Sequence, residues 1–250
     1  MNHFLRVLSF CLAITILTPL GESSVLAQDA SIKKISKVLQ NNLNKKNPQV
    51  FRTTFSNEQA LRLENLYENF LERFPNAEWA IEKSKVFKDG RSAINISIKA
   101  NQFKGDYLYK LESKQKIALE TKKNKIIDSE ILESYSILKS GIHEIPITIS
   151  IPNSVLTGTK YDIDVILEKP INDMIIAGGL INLSKKEIET RNMPKIELSP
   201  LGGGGIFKSV QAPIKPGNQY WGAVIAHPEG IISITKLVRI VENKSDLSLY

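Results

Sequence analysis

The chain has 250 residues, 33 Lys and Arg against 26 Asp and Glu, a net charge of +7 and a single cysteine. Those values exclude a disulfide-built miniprotein, a cysteine-ligated metal module and a disordered polyelectrolyte, and they leave room for one or two domains with cores of their own.

Met1 to Arg6 is short and basic, Val7 to Leu20 is apolar, and a polar stretch ends in Val25-Leu26-Ala27. This is the three-part order of a secretory signal peptide, and small residues at Val25 and Ala27 place the cut between Ala27 and Gln28. The apolar run falls short of the roughly 20 residues that a spanning helix needs, and Thr15, Thr18 and Pro19 interrupt it. Cys11 lies inside the run and follows Phe10, where a lipoprotein site needs a small residue. The exported chain then carries no cysteine, so it offers no disulfide, thiolate ligand or cysteine nucleophile. The reading predicts a protein of the periplasm, of a comparable lumen or of the extracellular space.

Charge divides the remainder. Residues 28–141 hold 21 Lys and Arg against 14 Asp and Glu, whereas residues 142–250 hold 11 of each. Pro and Gly punctuation thickens past Ser140-Gly141, which sets a domain boundary near residue 141. Residues 28–141 form the first expected domain and 142–250 the second.

In the first, Ile32, Ile35, Val38, Leu39 and Leu43 repeat at helical spacing behind Asp29 as N-cap. A second helix starts at Ser56, with Gln59 at capping-box spacing, and carries Leu63, Leu66, Tyr67, Phe70, Leu71 and Phe74 before Pro75 stops it. Strands Trp79 to Phe87 and Arg91 to Lys99 flank Lys88-Asp89-Gly90, a hairpin signal because glycine tolerates the positive φ of the turn. From Tyr107 to Thr121, Tyr107, Tyr109, Leu111, Ile117 and Leu119 share one face, and Lys110, Glu112, Lys114, Lys116 and Glu120 the other. Lys125 to Leu138 is the last strand of this half, and such long strands curve around helices.

The second half reads as strand throughout. Ile145, Ile147, Ile149 and Ile151 alternate, as do Tyr161, Ile163, Val165 and Leu167, and further runs occur at Met174–Leu183, Lys195–Leu198, Ile206–Val210, Tyr220–His227 and Ile231–Val241. About seven short strands at this spacing suggest an immunoglobulin-like β-sandwich. The expected fold class is therefore α+β: N-terminal helices on a curved, cone-like antiparallel sheet, followed by an all-β immunoglobulin-like sandwich.

The runs Phe74-Pro75-Asn76-Ala77-Glu78-Trp79, Lys88-Asp89-Gly90-Arg91 and Asn124-Lys125-Ile126-Ile127-Asp128-Ser129-Glu130 resemble the SnoaL-type branch of the nuclear transport factor two-like fold. The resemblance implies a cone with an apolar pocket, and an acidic general acid or base at the position of Glu130. Ser129 stands where that family has tryptophan, and Asp128 where its enzymes often have histidine.

Glu130 is the catalytic candidate, since a carboxylate in an apolar pocket has a raised pKa and can shuttle a proton. Trp79, Tyr109, Ser113 and Gln115 are candidates to line the same pocket. Lys110, Lys114, Lys116, Lys122, Lys123 and Lys125 form a basic patch suited to an anionic surface, or to keeping a long strand soluble. Gly202 to Gly205 lack the glycine before Lys208 and the following helix that a phosphate loop needs, and read as a flexible loop. His143 and His227 stand alone, and Asp162 and Asp164 read as the exposed face of a strand, so no metal or other cofactor is expected.

Three functions follow as expectations. The leading one is an exported, non-catalytic binding or interaction protein of the bacterial envelope, with a small-ligand or homodimer surface on the first domain. Its partner is a protein or a small apolar ligand, and not nucleic acid. The alternatives are an isomerase- or cyclase-like enzyme with Glu130 as base, and a peripheral membrane-surface protein using the lysines.

Overall fold

The computed structural model describes residues 25–87, 91–122, 124–141, 145–168, 175–190 and 195–247. Helices α1 (Val25–Asn44), α2 (Val50–Thr54) and α3 (Asn57–Arg73) precede four long strands, β1 (Glu78–Val86), β2 (Ser92–Lys104), β3 (Tyr107–Lys122) and β4 (Lys125–Gly141). Next come β5 (Ile147–Ser150), β6 (Ser154–Leu156), β7 (Lys160–Leu167), β8 (Ala177–Leu183), helix α4 (Lys185–Thr190) and β9 (Ser199–Pro200). The described chain closes with β10 (Gly205–Gln211), β11 (Gly217–His227), β12 (Gly230–Val241) and helix α5 (Lys244–Leu247).

The expected α+β class, with a helix-filled cone followed by a separate immunoglobulin-like sandwich, is corrected by this arrangement. Strand far outweighs helix, and a nine-stranded sheet draws on both halves of the chain, in the order β1-β2-β3-β4-β12-β11-β8-β9 with β6 pairing β12 off that path. Neighbours along the path are antiparallel where β1 meets β2, β4 meets β12 and β11 meets β8. The reason for the error is physical. Alternation shows which side of a strand is buried but not which strand lies beside it, and Ser140 pairs with Ile231, 91 positions away. The second half is not all strand either, since α4 and α5 interrupt it, and 195–198 form no strand before β9.

Two compact units divide the chain. The helical unit holds residues 25–102 and 112–134, and the sandwich unit holds 103–111 and 135–247. Gly141, read as a boundary, is a ladder residue opposite Gly230. Both glycines have positive φ, and a Cβ on either would run into a backbone carbonyl oxygen, that of Glu229 or of Ser140.

In the helical unit α1 buries Ile32, Ile35, Leu39 and Leu43 and leaves Val38 at the surface. The helix begins at Val25, so Asp29 lies within it and is not its cap. Ser56 is the N-cap residue of α3 by backbone geometry but makes no side-chain cap bond, and Gln59 donates from Nε2 to the Ile127 carbonyl instead of closing a capping box. Leu63, Tyr67, Phe70 and Phe74 are buried, and Phe51, Tyr67, Phe70 and Trp79 form a chain of ring contacts 5.6–5.7 Å between centroids.

β1 ends the sheet path, and such an edge leaves backbone groups without strand partners. α1 supplies them. Asn44 accepts from the Trp79 N–H and donates to the Trp79 carbonyl, each at 2.8 Å, and Gln40 Oε1 accepts from the Ile81 N–H at 2.8 Å. β1 and β2 form the expected hairpin, with Val86 opposite Ser92 and the Phe87 N–H donating to the Arg91 carbonyl; the Lys88-Asp89-Gly90 turn itself lies outside the described residues.

The sandwich unit sets a three-stranded sheet, β10-β7-β5, against β11 and β12. Val165, Leu167 and Ile206 from the small sheet pack with Ile225, Ile232 and Ile234, and a second cluster joins Tyr161 and Ile163 to Trp221, Val238 and Ile240. Trp221 Nε1–H donates to the Tyr161 hydroxyl at 2.9 Å, and that hydroxyl lies 2.8 Å from Gln219 Oε1. Burial raises the Tyr161 pKa and the Trp221 hydrogen bond partly offsets the rise.

Candidate functional site

An apolar cavity of about 20 Å³ lies inside the helical unit. Leu39 and Leu43 reach it from α1, Phe51 from α2 and Phe55 from the residue after α2. β1 contributes Trp79 and Ile81, β2 Ile94 and Ile96, β3 Ile117 and Leu119, and β4 a single polar residue, Ser129. Each apolar member comes from the buried stripe of its helix or strand, so the lining follows from the same periodicities that build the core.

Ser129 is 5% exposed, and its Oγ has no hydrogen-bond partner. Its backbone N–H donates to Asp128 Oδ1 at 2.7 Å. A buried hydroxyl without a partner costs about 1–3 kcal/mol. The remainder of the lining is hydrocarbon and aromatic, with the Trp79 indole N–H its other polar group.

Glu130 follows Ser129 and is not in the lining. Its Oε2 accepts from Arg91 Nη1 at 2.5 Å, and its side chain is 39% exposed. Trp79 is buried and lines the cavity, whereas Ser113 and Gln115 are buried elsewhere and Tyr109 is half-buried in the sandwich unit. The geometry thus brings one of the four expected lining residues to the cavity, adds Ser129, and leaves the expected base outside it.

Lys110 and Lys122 stand twelve residues apart on β3. Lys110, Lys114 and Lys122 are exposed. Lys116 Nζ lies 3.8 Å from Glu133 Oε1 and 5.9 Å from the Phe87 ring centroid, and Lys125 Nζ donates to the Arg52 carbonyl at 3.4 Å. Lys123 and His143 lie outside the described residues, and the Ala27-Gln28 bond falls near the start of α1. His227 Nδ1 accepts from the Glu229 N–H at 3.1 Å. Among the described residues no three His, Cys, Asp or Glu side chains gather where they could hold a metal ion, and no helix is long and apolar enough to cross a membrane.

The Gly202 to Gly205 segment leads into β10, and Gly204, at positive φ, accepts from the Leu167 N–H at 2.8 Å. It connects β9 to β10.

Residues 143–241 are similar to the family described as Domain of unknown function (DUF8623). That match takes in β5 to β12 and stops short of the cavity-bearing helical unit. No curated protein matches the chain.

Proposed function

We propose that this chain is an exported, non-catalytic binding protein of the bacterial envelope that takes a small apolar group into its helical unit. The observation that carries this reading is the division of labour at neighbouring positions: Ser129 lines the cavity while Glu130 is held by Arg91 beyond it. An acid–base catalyst needs its carboxylate within hydrogen-bond reach of the reacting atom, and Glu130 is not part of the lining. Export rests on the order of basic, apolar and small residues in the first 27 positions. Cleavage after Ala27 would remove only Val25 to Ala27 from α1 and leave the buried Ile32, Ile35, Leu39 and Leu43 in place.

Xenon, which fills dry apolar cavities, tests the reading. Under xenon pressure the methyl resonances of Ile94, Ile96, Ile117 and Leu119 should shift, and they should shift equally in Glu130→Gln. Methyl shifts confined to other parts of the protein would remove the cavity as a binding site.

A second reading, attachment to an anionic membrane surface, is favoured by the turn between β2 and β3. Phe103 and Tyr107, 73% and 55% exposed, flank Gly105-Asp106, with Lys104 and Lys110 exposed beside them. Aromatic rings with lysines alongside suit the boundary between headgroups and acyl chains.

A further inference from the structure

We infer that the outer edge of β10 is a dimerisation surface, on which a second copy of this chain adds its own β10 antiparallel across a two-fold axis at Ser209. The inference concerns the sandwich unit and does not depend on the cavity. β10 ends the three-stranded sheet, and among the described residues no strand lies along its other side. Backbone alternation decides which groups face that side. The Leu167 N–H donates to the Gly204 carbonyl and the Ala212 N–H to the Thr159 carbonyl, both at 2.8 Å, so the even-numbered residues between Gly204 and Ala212 turn toward β7. Phe207, Ser209 and Gln211 therefore direct their N–H and C=O groups outward, and all three residues are exposed. The open stretch has definite ends. Gly205 is buried, and Pro213 has no N–H and gives its carbonyl to the Gly158 N–H.

This edge lacks the guards that keep edge strands from pairing, which are shortness, a bulge, a proline or a charge beside the open backbone groups. β10 pairs with β7 from Gly205 to Gln211 without a register shift. Its charged side chain, Lys208, lies on the face of the sheet that meets Trp221, with Nζ 5.8 Å from that ring centroid. What fits the edge is a strand with the same spacing of open groups, and a copy of β10 has it. A two-fold rotation about Ser209 carries the open residues onto themselves: Ser209 faces Ser209 of the copy and Phe207 faces Gln211 of the copy, each facing pair exchanging two hydrogen bonds. The Phe207 ring, 57% exposed, then gains a neighbour and loses part of its contact with water. Lys208 comes opposite Val210 of the copy. An axis at Lys208 would set two lysines against each other, and one at Phe207 would enlist the buried Gly205. The ladder is short, about 17 Å at the rise of an extended strand, so the dimer is weak and forms only at high concentration.

Sedimentation of the protein between about 10 µM and about 1 mM, with amide hydrogen exchange at both ends of that range, forms the test. The protein should pass from monomer to dimer, and the Phe207, Ser209 and Gln211 amides should gain protection at the high concentration, while those of Lys208 and Val210, bonded to β7, stay protected throughout. Ser209→Pro, which removes the N–H at the axis, should weaken the dimer about tenfold or more. Ser209→Lys should do the same in low salt, because it sets like charges face to face, and should regain most of the loss in about 0.5 M salt. Folding tolerates that lysine, since position 209 pairs with Asp162 on β7 and is exposed. A monomer at every concentration overturns the inference. So does a dimer whose newly protected amides lie elsewhere, or slow exchange of the three amides already at the low concentration, which would mean cover from the same chain. A Ser209→Lys dimer as tight as the parent's, with Lys208 still protected, overturns it as well.

Discussion

Arg91 donates from Nη1 to Glu130 Oε2 at 2.5 Å, joining the start of the second strand to the middle of the fourth. Both side chains retain contact with water, 25% and 39% exposed, so solvent screening keeps the pair's contribution small. Glu130→Gln should lower stability by about 0.5–1 kcal/mol, measured by urea unfolding, and the difference should shrink in 1 M salt. A loss several times larger would show a carboxylate far less hydrated than its exposure indicates, and would reopen its candidacy as a base.

Tyr67 is the pH-sensitive point of the helical unit. It is fully buried, its hydroxyl donates to the Leu43 carbonyl at 2.5 Å, and burial pushes its pKa from 10.0 to about 12. The folded protein therefore holds this proton more tightly than the unfolded chain does. The resulting contribution, of order 3 kcal/mol, is complete below the unfolded pKa and is lost as pH climbs through the window from 10.0 to about 12. Tyr67→Phe should cost about 1 kcal/mol at neutral pH through the missing hydrogen bond, yet flatten the alkaline fall in urea midpoint. If the variant loses stability above pH 10.0 as steeply as the parent, the alkaline sensitivity belongs to another group.

Asn44 covers the free edge of the first strand with one side chain, bonding both backbone groups of Trp79. Asn44→Ala should destabilise by about 1–2 kcal/mol, since two hydrogen bonds go and solvent replaces them only in part. Hydrogen exchange offers the sharper readout. The Trp79 amide should exchange much faster in the variant, while the Ile81 amide, held by Gln40 Oε1, keeps its protection. Unchanged exchange at Trp79 would mean that the edge is shielded by packing and not by this amide.

What could be seen in the sequence, and what could not, follows from the range of each interaction. The core face of the third strand was legible because Leu111, Ile117 and Leu119 alternate with lysines and glutamates, and all three are buried. Tyr107 obeys the same alternation but lies 55% exposed, because a periodic pattern does not reveal where cover ends along a strand. The union of the fourth and twelfth strands was illegible, since the partners stand about ninety residues apart and both look like ordinary half-buried strands. The edge-covering roles of Gln40 and Asn44 were hidden for a related reason: a polar residue on a helix looks solvated until the strand beside it is known. At the site, Trp79 stood out by size. Ser129 left no trace, because a buried serine and one facing water carry the same letter, and only the backbone's path distinguishes it from Glu130.

The exposed aromatics at the turn between the second and third strands carry the last prediction. Moving a ring such as Phe103 or Tyr107 from water into an apolar phase is worth roughly 1–2 kcal/mol when partly buried, and a lysine near an anionic surface adds about 1 kcal/mol. Vesicles containing phosphatidylglycerol should therefore bind the protein weakly, and replacing both Phe103 and Tyr107 with serine should reduce co-sedimentation by about tenfold or more. The two contributions separate with salt. Attraction by Lys104 and Lys110 is screened at 0.5 M, whereas ring insertion persists, so a residual salt-resistant binding should vanish only in the double serine variant. Binding that is equal for neutral and anionic vesicles, or that survives the loss of both rings, would show that this turn is not the membrane contact. Fold is not at stake in the comparison, because both rings are exposed.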